Sequence, residues 1–378
     1  MLNVLLRKID KMKEKILFIT AFVPHRAAAG EKNTMIMIND FASKYDVDLI
    51  YYKYDYNDSY IPERENVRVV LEVANSLPRK LFGILNYPFI HPFFSIRFSW
   101  AMCRTIKKLC KENNYKAVVL NHSYTFLFGK KVLNDIPKIL MCHDVIMQRI
   151  SRSSNKFMTN ICKFSENYVL HQNKAQIFSV SQKDSNMITD LYGVPAGVAL
   201  AYIDELILKK EPTAQENYFT LMSDWTRKEN IDGAMWLINE VLPKIEFDIC
   251  IKVMGRAFPN DIKIHNPHVK FEVLGFVDDP YQIICNSKAM LAPLFNGAGT
   301  KQKIIETLAC GSPAIGTEIA FEGLPVEFNE YMKLCHNADD FVTHMKTISL
   351  SLEEKKELKK NFIRCYTKDS ITNALDNI

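Results

Sequence analysis

The sequence predicts two α/β domains, each built on a doubly wound parallel sheet. Apolar runs typical of buried strands alternate with amphipathic helical stretches, a polar segment interrupts this alternation, and the alternation then starts again. The length of 378 residues agrees, because single hydrophobic cores stop growing beyond about 250–300 residues. We expect the two Rossmann-like domains to face each other across a cleft, since ligands of such sheets bind beyond the strand ends.

The first domain is predicted over residues 1–207. Its candidate strands are Lys15–Thr20, Asp46–Tyr52, Val67–Leu71, Ala117–Asn121, Lys138–Cys142 and Ile177–Val180. Its candidate helices are Asn33–Lys44, Arg97–Asn113 and Phe157–Asn173.

The polar segment Lys209–Asn217 is predicted to be the linker into a second domain over residues 208–359. The candidate strands there are Tyr218–Leu221, Asp248–Met254, Val269–Val273, Ala289–Ala292 and Pro313–Gly316, and the candidate helices are Ile231–Val241 and Lys301–Cys310. A charged helix is predicted from Ser351, and we expect its last part, about 360–378, to pack back on the first domain.

Charge and cysteine content argue against several classes of protein. The 48 Lys and Arg residues exceed the 43 Asp and Glu residues by five, without the basic and aromatic interleaving of a nucleic-acid groove. None of the nine cysteines stands at Cys-x-x-Cys spacing, so a reducing cytoplasmic location is predicted. No group of residues has metal-ligand spacing, and we expect neither a metal nor another cofactor.

The most apolar segment, Leu81–Cys103, is interrupted by prolines, a histidine and an arginine, so no uncharged membrane-spanning helix fits it. We predict a buried loop that leads into a helix; the alternative is an apolar rim that contacts an acceptor or a membrane. The basic clusters Arg7–Lys15 and Lys107–Lys111 would suit the anionic inner face of a membrane, or they are solvated helix faces. The N-terminal order, apolar before basic, is the reverse of a signal peptide.

The loop after the first strand lacks the G-x-G-x-x-G pattern of dinucleotide-binding proteins, and the sequence has no Walker A motif. These absences argue against an oxidoreductase or a P-loop enzyme. Small residues at Ala27–Gly30 nevertheless precede a helix, where Gly30 would let a ligand approach the helix N-terminus. A tight turn without a ligand is the alternative.

A glycine-rich loop, Asn296–Thr300, leads from a strand into a helix near Lys301. Backbone N–H groups and the helix dipole at such a junction form an anion site, to which Lys301 and Lys303 add positive charge. Glu306, about one turn further on, could accept hydrogen bonds from a ribose diol. The alternative for Glu306 is a solvated position on the helix surface.

Residues 291–324, LAPLFNGAGTKQKIIETLACGSPAIGTEIAFEGL, resemble family 4 (group 1) retaining glycosyltransferases of the GT-B fold. The likeness is to the branch that reads P-x-x-x-G-A-G-T-K-x-K-I-x-E-x-x-A-x-G-x-P. Further landmarks at matching order are His143–Val145 with Glu166, Phe178–Asp184, Arg227–Ile245, Val253–Gly255 and Leu274–Asp279. The resemblance therefore covers nearly the whole chain and is weakest over residues 57–97.

The resemblance implies transfer of a sugar from a UDP-, GDP- or dTDP-sugar to an acceptor hydroxyl with retention of anomeric configuration. The second domain would bind the nucleotide, and the first would bind a saccharide or lipid-linked saccharide. A leaving phosphate oxygen would serve as the base, and Lys/Arg side chains would replace a metal at the diphosphate. The expected setting is bacterial surface polysaccharide or glycolipid assembly.

The resemblance also assigns roles residue by residue. The donor-binding residues would be Gly255, Phe276, Val277, Gly297, Ala298, Gly299, Thr300 and Glu306, with Phe276 and Val277 against the base, Gly297–Thr300 against the diphosphate and Glu306 on the ribose. Arg227 and Lys228 would clamp the leaving diphosphate, and His143 would face the transferred sugar. Solvated charges at 227–228 and a structural histidine at 143 are the alternatives.

Two positions depart from the family pattern. Many members carry a first glutamate eight positions before the second, where this chain has Ala298, and Asn296 lies nearest to the missing acid. Ser223 replaces the glycine expected after the first strand of the second domain. A non-catalytic sugar-nucleotide-binding GT-B subunit and a GT-B nucleotide-sugar epimerase are the alternative functions.

Overall fold

The computed structural model describes residues 13–25, 29–54, 58–152, 154–200, 202–259, 261–297, 299–368 and 371–375. Their contacts form two compact units. The first unit contains the described residues up to Ser179, Ser185–Ala199 and those from Ile371 onward, and the second contains Val180–Asp184 and the described residues from Leu200 to 368.

The first unit is built on a seven-stranded sheet in which all strands are parallel, in the order β3-β2-β1-β4-β5-β6-β7. The strands are β1 Lys15–Thr20, β2 Asp46–Lys53, β3 Val67–Ala74, β4 Tyr115–Asn121, β5 Lys138–Cys142, β6 Ala175–Ser179 and β7 Ala196–Val198. The central strands are buried along almost their whole length, as parallel strands covered on both faces are. The chain order reverses between β1 and β4.

Helices pack around this sheet. They are α1 Ala29–Lys44, α2 Leu77–Asn86, α3 Pro92–Ser95, α4 Trp100–Glu112, α5 Phe126–Gly129, α6 Ile146–Ser151, α7 Lys156–Leu170 and α8 Gln182–Tyr192. The buried face of α4, which carries Met102, Ile106 and Leu109, joins the same core as strand residues such as Leu17 and Leu120.

The second unit is built on a six-stranded parallel sheet in the order β10-β9-β8-β11-β12-β13. Its strands are β8 Tyr218–Met222, β9 Ile249–Met254, β10 Val269–Gly275, β11 Met290–Ala292, β12 Ala314–Gly316 and β13 Met332–Leu334. Its helices are α9 Glu205–Leu208, α10 Lys228–Trp236, α11 Tyr281–Asn286, α12 Gln302–Ala309, α13 Glu318–Phe321, α14 Ala338–Thr347 and α15 Leu352–Lys368, and a final helix, α16 Ile371–Leu375, belongs to the first unit. The predicted class of two Rossmann-like α/β units is confirmed.

The second unit begins at Leu200, a few residues before the predicted boundary, because the connecting segment makes contacts within it. Tyr281 donates to Asp204, and Lys359 on α15 donates to the carbonyl oxygen of Ile207. The last helical residues also divide differently from the expectation for 360–378. Helix α15 packs on α12 in the second unit, whereas Thr372 on α16 donates to Asp40 in the first.

The apolar segment Leu81–Cys103 differs from the predicted buried loop. It begins within helix α2, whose side chains at Leu77, Leu81 and Leu85 are exposed along one face. Helix α2 packs closely through Gly83, where a Cβ would overlap the carbonyl oxygen of Ser95. The composition of a segment gives its total hydrophobicity but does not show which face of a helix carries the apolar side chains. For this reason the prediction of a buried loop was wrong for the part of the segment that lies on α2.

Three further observations bear on the predicted class. Across the described ranges, no helix is long and apolar enough to cross a membrane. The same residues include no cluster of three or more His, Cys, Asp or Glu side chains that could hold a metal ion. Each of the nine cysteines is a thiol rather than half of a disulfide.

Candidate functional site

The two sheets place the predicted site residues at equivalent positions, beyond the carboxyl ends of central strands. In the first sheet these ends belong to β1, β4 and β5, and in the second to β8, β9 and β11. Ligands of open α/β sheets bind where the strand order reverses, which is between β1 and β4 and between β8 and β11. Each unit therefore has its own candidate site.

We define the histidine cluster as Asn121, His122 and His143. His143 follows β5, and its Nε2 atom lies 2.7 Å from Oδ1 of Asn121, the last residue of β4. The side-chain amide nitrogen of Asn121 donates to the hydroxyl oxygens of Thr20 and Thr34. The side-chain oxygen of Asn121 therefore faces His143 and must accept a hydrogen bond from its ring. His143 is therefore protonated on Nε2.

Burial lowers the pKa of His143 to about 4. The ring is thus neutral at pH 7, and Nδ1 remains as a hydrogen-bond acceptor. A neutral, oriented imidazole at a strand end can accept a hydrogen bond from a sugar hydroxyl. The geometry agrees with the expected place of His143 beside the transferred sugar, and that role stays a prediction.

His122 is stacked on His143, with ring centroids 3.7 Å apart. Its backbone has a φ of 68°, in the left-handed region that non-glycine residues seldom adopt. Burial and the charges of His143 and Arg97 lower its pKa well below the ordinary value. The buried Nε2 atom of His122 has no hydrogen-bond partner.

Glu166, a landmark of the family resemblance, has a structural place on α7. Its carboxylate accepts hydrogen bonds from the backbone N–H groups of Ile146 and Met147 at the start of α6, and from the hydroxyl of Tyr192. It is almost fully buried. Glu166 therefore fixes the helix that follows the histidine cluster.

Gly30 lies at the start of α1, where its carbonyl oxygen accepts from Thr34 Oγ1 at 2.8 Å. Because Thr34 also accepts from Asn121, Gly30 is connected to the histidine cluster through two hydrogen bonds. Of the predicted small-residue loop, residues 27 and 28 lie outside the described residues.

In the second unit we define the glycine-loop site as residues 223–228, Gly255, and the described residues from 296 to 306. Gly297 and Gly299 have φ values of 129° and 67°, which glycine adopts without strain. Lys301 at the N-cap of α12 makes no side-chain cap, and its Nζ atom instead donates to Gly299 O at 2.5 Å. Ala298 lies outside the described residues.

Two further features of this loop concern Thr300 and Asn296. The Thr300 hydroxyl oxygen is buried without a hydrogen-bond partner. Asn296 is exposed at the start of the loop, near the position of the missing first glutamate. An unpaired hydroxyl beside the uncapped start of a helix suits a bound anion.

Lys303 on α12 is held by the residue that replaces the expected glycine. Its Nζ atom donates to Ser223 Oγ at 2.6 Å, which joins α12 to the end of β8. Burial, with the charges of Lys301 and Arg227, lowers the pKa of Lys303 to about 7. The charges of Lys301 and Arg227 therefore both act on the buried side chain of Lys303.

Arg227 and Lys228, predicted together as the clamp, have different surroundings. Arg227 forms an ion pair with Glu229 at 2.5 Å and acts electrostatically on Lys303. Lys228 forms an ion pair with Asp232 on the next turn of α10, and its side chain is 85% exposed. The structure brings Arg227 into the cationic group, whereas Lys228 is not among the charges that act on Lys303.

Gly255, after β9, is required by the backbone. Its φ is 122°, and a Cβ there would overlap the carbonyl oxygen of Ser223. Trp225 fills the space beside it and donates from its ring nitrogen to Met254 O at 3.0 Å. Gly255 thus lets the loop after β8 lie directly against the end of β9.

The predicted base-binding residues follow β10. Gly275 accepts a hydrogen bond from the backbone of Gly255 at 2.7 Å, which places Phe276 and Val277 near Gly255. Phe276 is 55% exposed, as an aromatic ring that awaits a stacking partner would be.

Glu306 is buried on α12, with 2% exposure, so the alternative of a solvated surface position is wrong. Its carboxylate accepts from the Gln302 amide at 3.3 Å and contributes to raising the pKa of Tyr281 on α11. Binding of ribose by Glu306 stays a prediction.

Sequence reasoning missed two residues of this site that the structure makes prominent. Ser223 was treated only as a departure from a glycine, although it holds Lys303. Trp225 was not identified at all, although its burial fixes the loop before α10. A tryptophan in an otherwise polar segment, SDWTRKEN, was the available signal.

Comparison with known proteins gives one family. Residues 218–349 match the family model described as "Glycosyl transferases group 1". This range contains every described residue of the glycine-loop site, so the similarity to group 1 glycosyltransferases lies in the second unit. No protein with a curated description matches the sequence of this chain.

Solved structures resemble the whole chain. Anabaena HepE in complex with UDP-glucose has a TM-score of 0.62 at 12% identity, with 96% of this chain and 97% of that chain covered. Sucrose-phosphate synthase from Thermosynechococcus elongatus gives 0.62 at 14% identity, with 96% of each chain covered. WaaG, a glycosyltransferase involved in lipopolysaccharide biosynthesis, gives 0.59 at 9% identity, with 96% and 98% covered. At these identities the likeness shows the fold alone, and it is the GT-B fold.

Proposed function

We propose that the chain is a retaining glycosyltransferase that moves a sugar from a nucleotide-sugar donor to an acceptor hydroxyl. One observation carries the proposal: the Nζ atom of Lys303 is held by Ser223 Oγ at 2.6 Å, on the uncapped helix that follows a glycine-rich loop, and the charges of Lys301 and Arg227 act on it. Their mutual repulsion is relieved by an anion, and the loop offers backbone N–H groups to it. The match of residues 218–349 to group 1 glycosyltransferases supports a nucleoside diphosphate as that anion.

The donor's parts correspond to separate features of the glycine-loop site. The diphosphate would lie against Gly297–Thr300, with Arg227, Lys228, Lys301 and Lys303 supplying charge. The base would stack on Phe276 and contact Val277, and Glu306 would accept hydrogen bonds from the ribose. HepE, which has a similar fold, is described in complex with UDP-glucose, which supports UDP as the first nucleotide to test.

The proposed reaction breaks the bond between the anomeric carbon and the diphosphate oxygen, and forms a bond from that carbon to the acceptor oxygen on the same face. The acceptor's proton passes to the departing diphosphate oxygen. The cationic group stabilises the negative charge that grows on the diphosphate. His143, neutral and protonated on Nε2, would accept a hydrogen bond from the transferred sugar through Nδ1.

Calorimetric titration with UDP, GDP and dTDP tests the donor site. We expect one nucleoside diphosphate to bind and Lys303→Met to weaken its binding. Lys356→Met is the matched control, because Lys356 is an exposed lysine of the same unit, paired with Glu353. If no nucleoside diphosphate binds, or if both variants behave alike, the donor site is misassigned.

Turnover separates the transferase from the two other GT-B functions. A non-catalytic subunit would bind the nucleotide without consuming a nucleotide-sugar, and an epimerase would consume or isomerise it without an acceptor. Proton NMR of the product gives the anomeric configuration, and an inverted product would contradict retention. Activity that survives EDTA would agree with a clamp of Lys and Arg side chains in place of a metal.

We also propose that the enzyme works at the cytoplasmic face of the inner membrane in surface polysaccharide or glycolipid assembly. The exposed face of α2, with Leu77, Leu81 and Leu85, gives an apolar surface, and Phe89 just beyond it is exposed too. Basic residues at 107–111 on α4 would favour anionic lipids. Most of the other basic cluster, 7–15, lies outside the described residues.

Flotation with phosphatidylglycerol vesicles tests this location. We expect Leu85→Gln to weaken binding, because it removes an exposed apolar side chain from the membrane surface. Val326→Gln is the matched control, since Val326 is exposed to a similar extent in the other unit. Equal binding by the two variants would exclude α2 as the contact.

A further inference from the structure

A buried arginine of the first unit has no carboxylate partner. Arg97 lies between α3 and α4 and is 9% exposed. Its Nε and Nη2 atoms donate to the hydroxyl of Tyr54 at 3.2 and 2.7 Å, and its guanidinium stacks over the ring of Tyr124 at 3.6 Å. The Nη1 atom is buried without a hydrogen-bond partner, and none of the described carboxylates forms an ion pair with this residue.

A second arginine with the same property lies close by. Arg79 on α2 stacks over the ring of Tyr52, with Cζ 4.6 Å from the centroid, and donates to Ala74 O and to Asn75 Oδ1. Its Nη1 atom is also buried without a partner. Burial lowers the pKa of Arg79, and the charge of Arg97 adds to that effect. We call Arg79 and Arg97 the arginine pair.

The pair differs from other arginines of this chain. Arg68 donates through two nitrogen atoms to the carboxylate of Asp48, and Arg256 donates in the same way to Asp224. Each of these charges is neutralised by a planar acid of matching geometry. The arginine pair instead has tyrosine hydroxyls, aromatic faces, an amide and a carbonyl, which satisfy hydrogen bonds without cancelling charge.

Tyr52 links the two arginines, because its ring lies under the guanidinium of Arg79 and its hydroxyl donates to the backbone carbonyl oxygen of Arg97. Two neighbouring guanidinium groups that lack acidic partners are unfavourable unless an anion neutralises them. Guanidinium geometry matches phosphate and carboxylate oxygens, and two such groups suit a doubly charged anion. Arg79 is half-buried, so an anion would have to reach the pair from its side. These conditions describe a site for a phosphate ester.

We propose that Arg79 and Arg97 bind a phosphate group carried by the acceptor substrate. The position supports the acceptor rather than the donor, because the pair lies in the first unit and the glycine-loop site in the second. The charge of Arg97 acts on His122, which is stacked on His143. The anion would therefore lie near the histidine that we place beside the transferred sugar, and this part of the inference rests on the proposed function.

Equilibrium titration of the full chain with glycerol 3-phosphate, in the presence of saturating UDP, tests the proposal. UDP occupies the donor site, so a remaining phosphate site must lie elsewhere. We expect Arg97→Gln and Arg79→Gln each to weaken glycerol 3-phosphate binding by about tenfold or more. Lys80→Gln is the matched control, because it removes a charge from the neighbouring position of α2.

The folded state of each variant is checked by circular dichroism and chemical denaturation, because the proposed UDP site lies in the second unit; the affinity for UDP should not change. Loss of phosphate binding in Arg79→Gln alone still supports the site if Arg97→Gln fails to fold. Absence of glycerol 3-phosphate binding in the unaltered protein, or equal weakening by Lys80→Gln, would overturn the proposal. If UDP does not bind but the arginine variants still lose phosphate binding, the proposed function fails and the anion site stands.

The source of the phosphate is distinguished by vesicles. If the protein floats with phosphatidylglycerol vesicles, if this binding needs both arginines, and if glycerol 3-phosphate abolishes it, the site binds a lipid headgroup. If glycerol 3-phosphate binding needs both arginines and vesicles do not affect it, the site binds a soluble phosphate ester. If flotation does not depend on either arginine, the vesicles bind another surface, and a lipid headgroup is excluded as the ligand of the arginine pair.

Discussion

The histidine cluster and the glycine-loop site occupy equivalent places in two similar sheets, yet their chemistry is opposite. In the histidine cluster, both polar atoms of the Asn121 side chain have hydrogen-bond partners, and His143 is neutral. In the second, the pKa of Lys303 is lowered because the side chain is buried and because the charges of Lys301 and Arg227 act on it. The fold places both groups of residues at strand ends, and the few residues after each strand decide whether the group is neutral or cationic.

The largest expected effect is on the backbone that shapes the glycine-loop site. Gly255→Ala should reduce the free energy of unfolding by about 3 kcal/mol or more, because the new Cβ overlaps Ser223. Gly275→Ala is the matched control, since its φ is also positive at 69° but its Cβ would meet open space. We expect about 1–2 kcal/mol there, measured by chemical denaturation. Similar losses in both variants would show that conformation, rather than overlap, makes Gly255 necessary.

The next effect concerns the cationic character of that site. Lys303→Met should weaken nucleoside diphosphate binding by about 1.5–3 kcal/mol, because a charged hydrogen-bond donor is lost. Lys303, with a pKa near 7, is mostly neutral at pH 8, and a bound diphosphate raises that pKa. Binding at pH 8 should therefore take up close to one proton, measured by calorimetry in buffers of different ionisation enthalpy. The same uptake in Lys303→Met would contradict the assignment.

A smaller effect should appear in the first unit on acidification. Because the folded pKa of His143 is about 4 and its ordinary value about 6.5, the unfolded chain binds more protons between these pH values. Stability should fall on the order of 1–3 kcal/mol as pH drops from 7 to 4, and His143→Gln should reduce that slope. The control is His268→Gln, an exposed histidine, and denaturation at several pH values provides the measurement. An unchanged slope in His143→Gln would show that the ring is not buried neutral.

The smallest effect separates the two members of the predicted clamp. Lys228→Met should change stability by less than about 0.5 kcal/mol, because its ion pair with Asp232 is exposed. Arg227→Met should weaken nucleotide binding more than Lys228→Met, since Arg227 acts on Lys303. Steady-state kinetics of both variants decide the matter. A greater loss of kcat in Lys228→Met would show that this lysine acts on the leaving group.

The sequence was sufficient to predict the longer strands and their alternation with helices, because buried parallel strands are continuous apolar runs. It did not predict β7 and β13, short strands at the edges of the two sheets, because their partly exposed residues do not form the continuous apolar run seen in the equally short β11 and β12. The helix predicted at Ile231–Val241 belongs to α10 and a π-helical turn, Leu237–Val241, which the same amphipathic spacing does not reveal.

For the candidate sites, motif reasoning located Lys303, Glu306 and His143 at strand ends or on the following helix. It could not find the arginine pair, because Arg79 and Arg97 belong to no motif and their shared contact with Tyr52 depends on packing. Nor could it foresee that Ser223 holds Lys303, since their contact joins residues 80 positions apart. Such contacts depend on packing between elements, which residue spacing does not encode.

The short helix α16 has a consequence for how the protein is made. It belongs to the first unit, where Thr372 donates to Asp40 and Asn373 accepts from Lys44, both on α1. During synthesis Asp40 and Lys44 leave the ribosome well before their partners on α16, and the whole second unit is made in between. The first unit can therefore complete its fold only after the second unit has been translated, and a chain that stopped before residue 371 would leave the earlier-made unit unfinished.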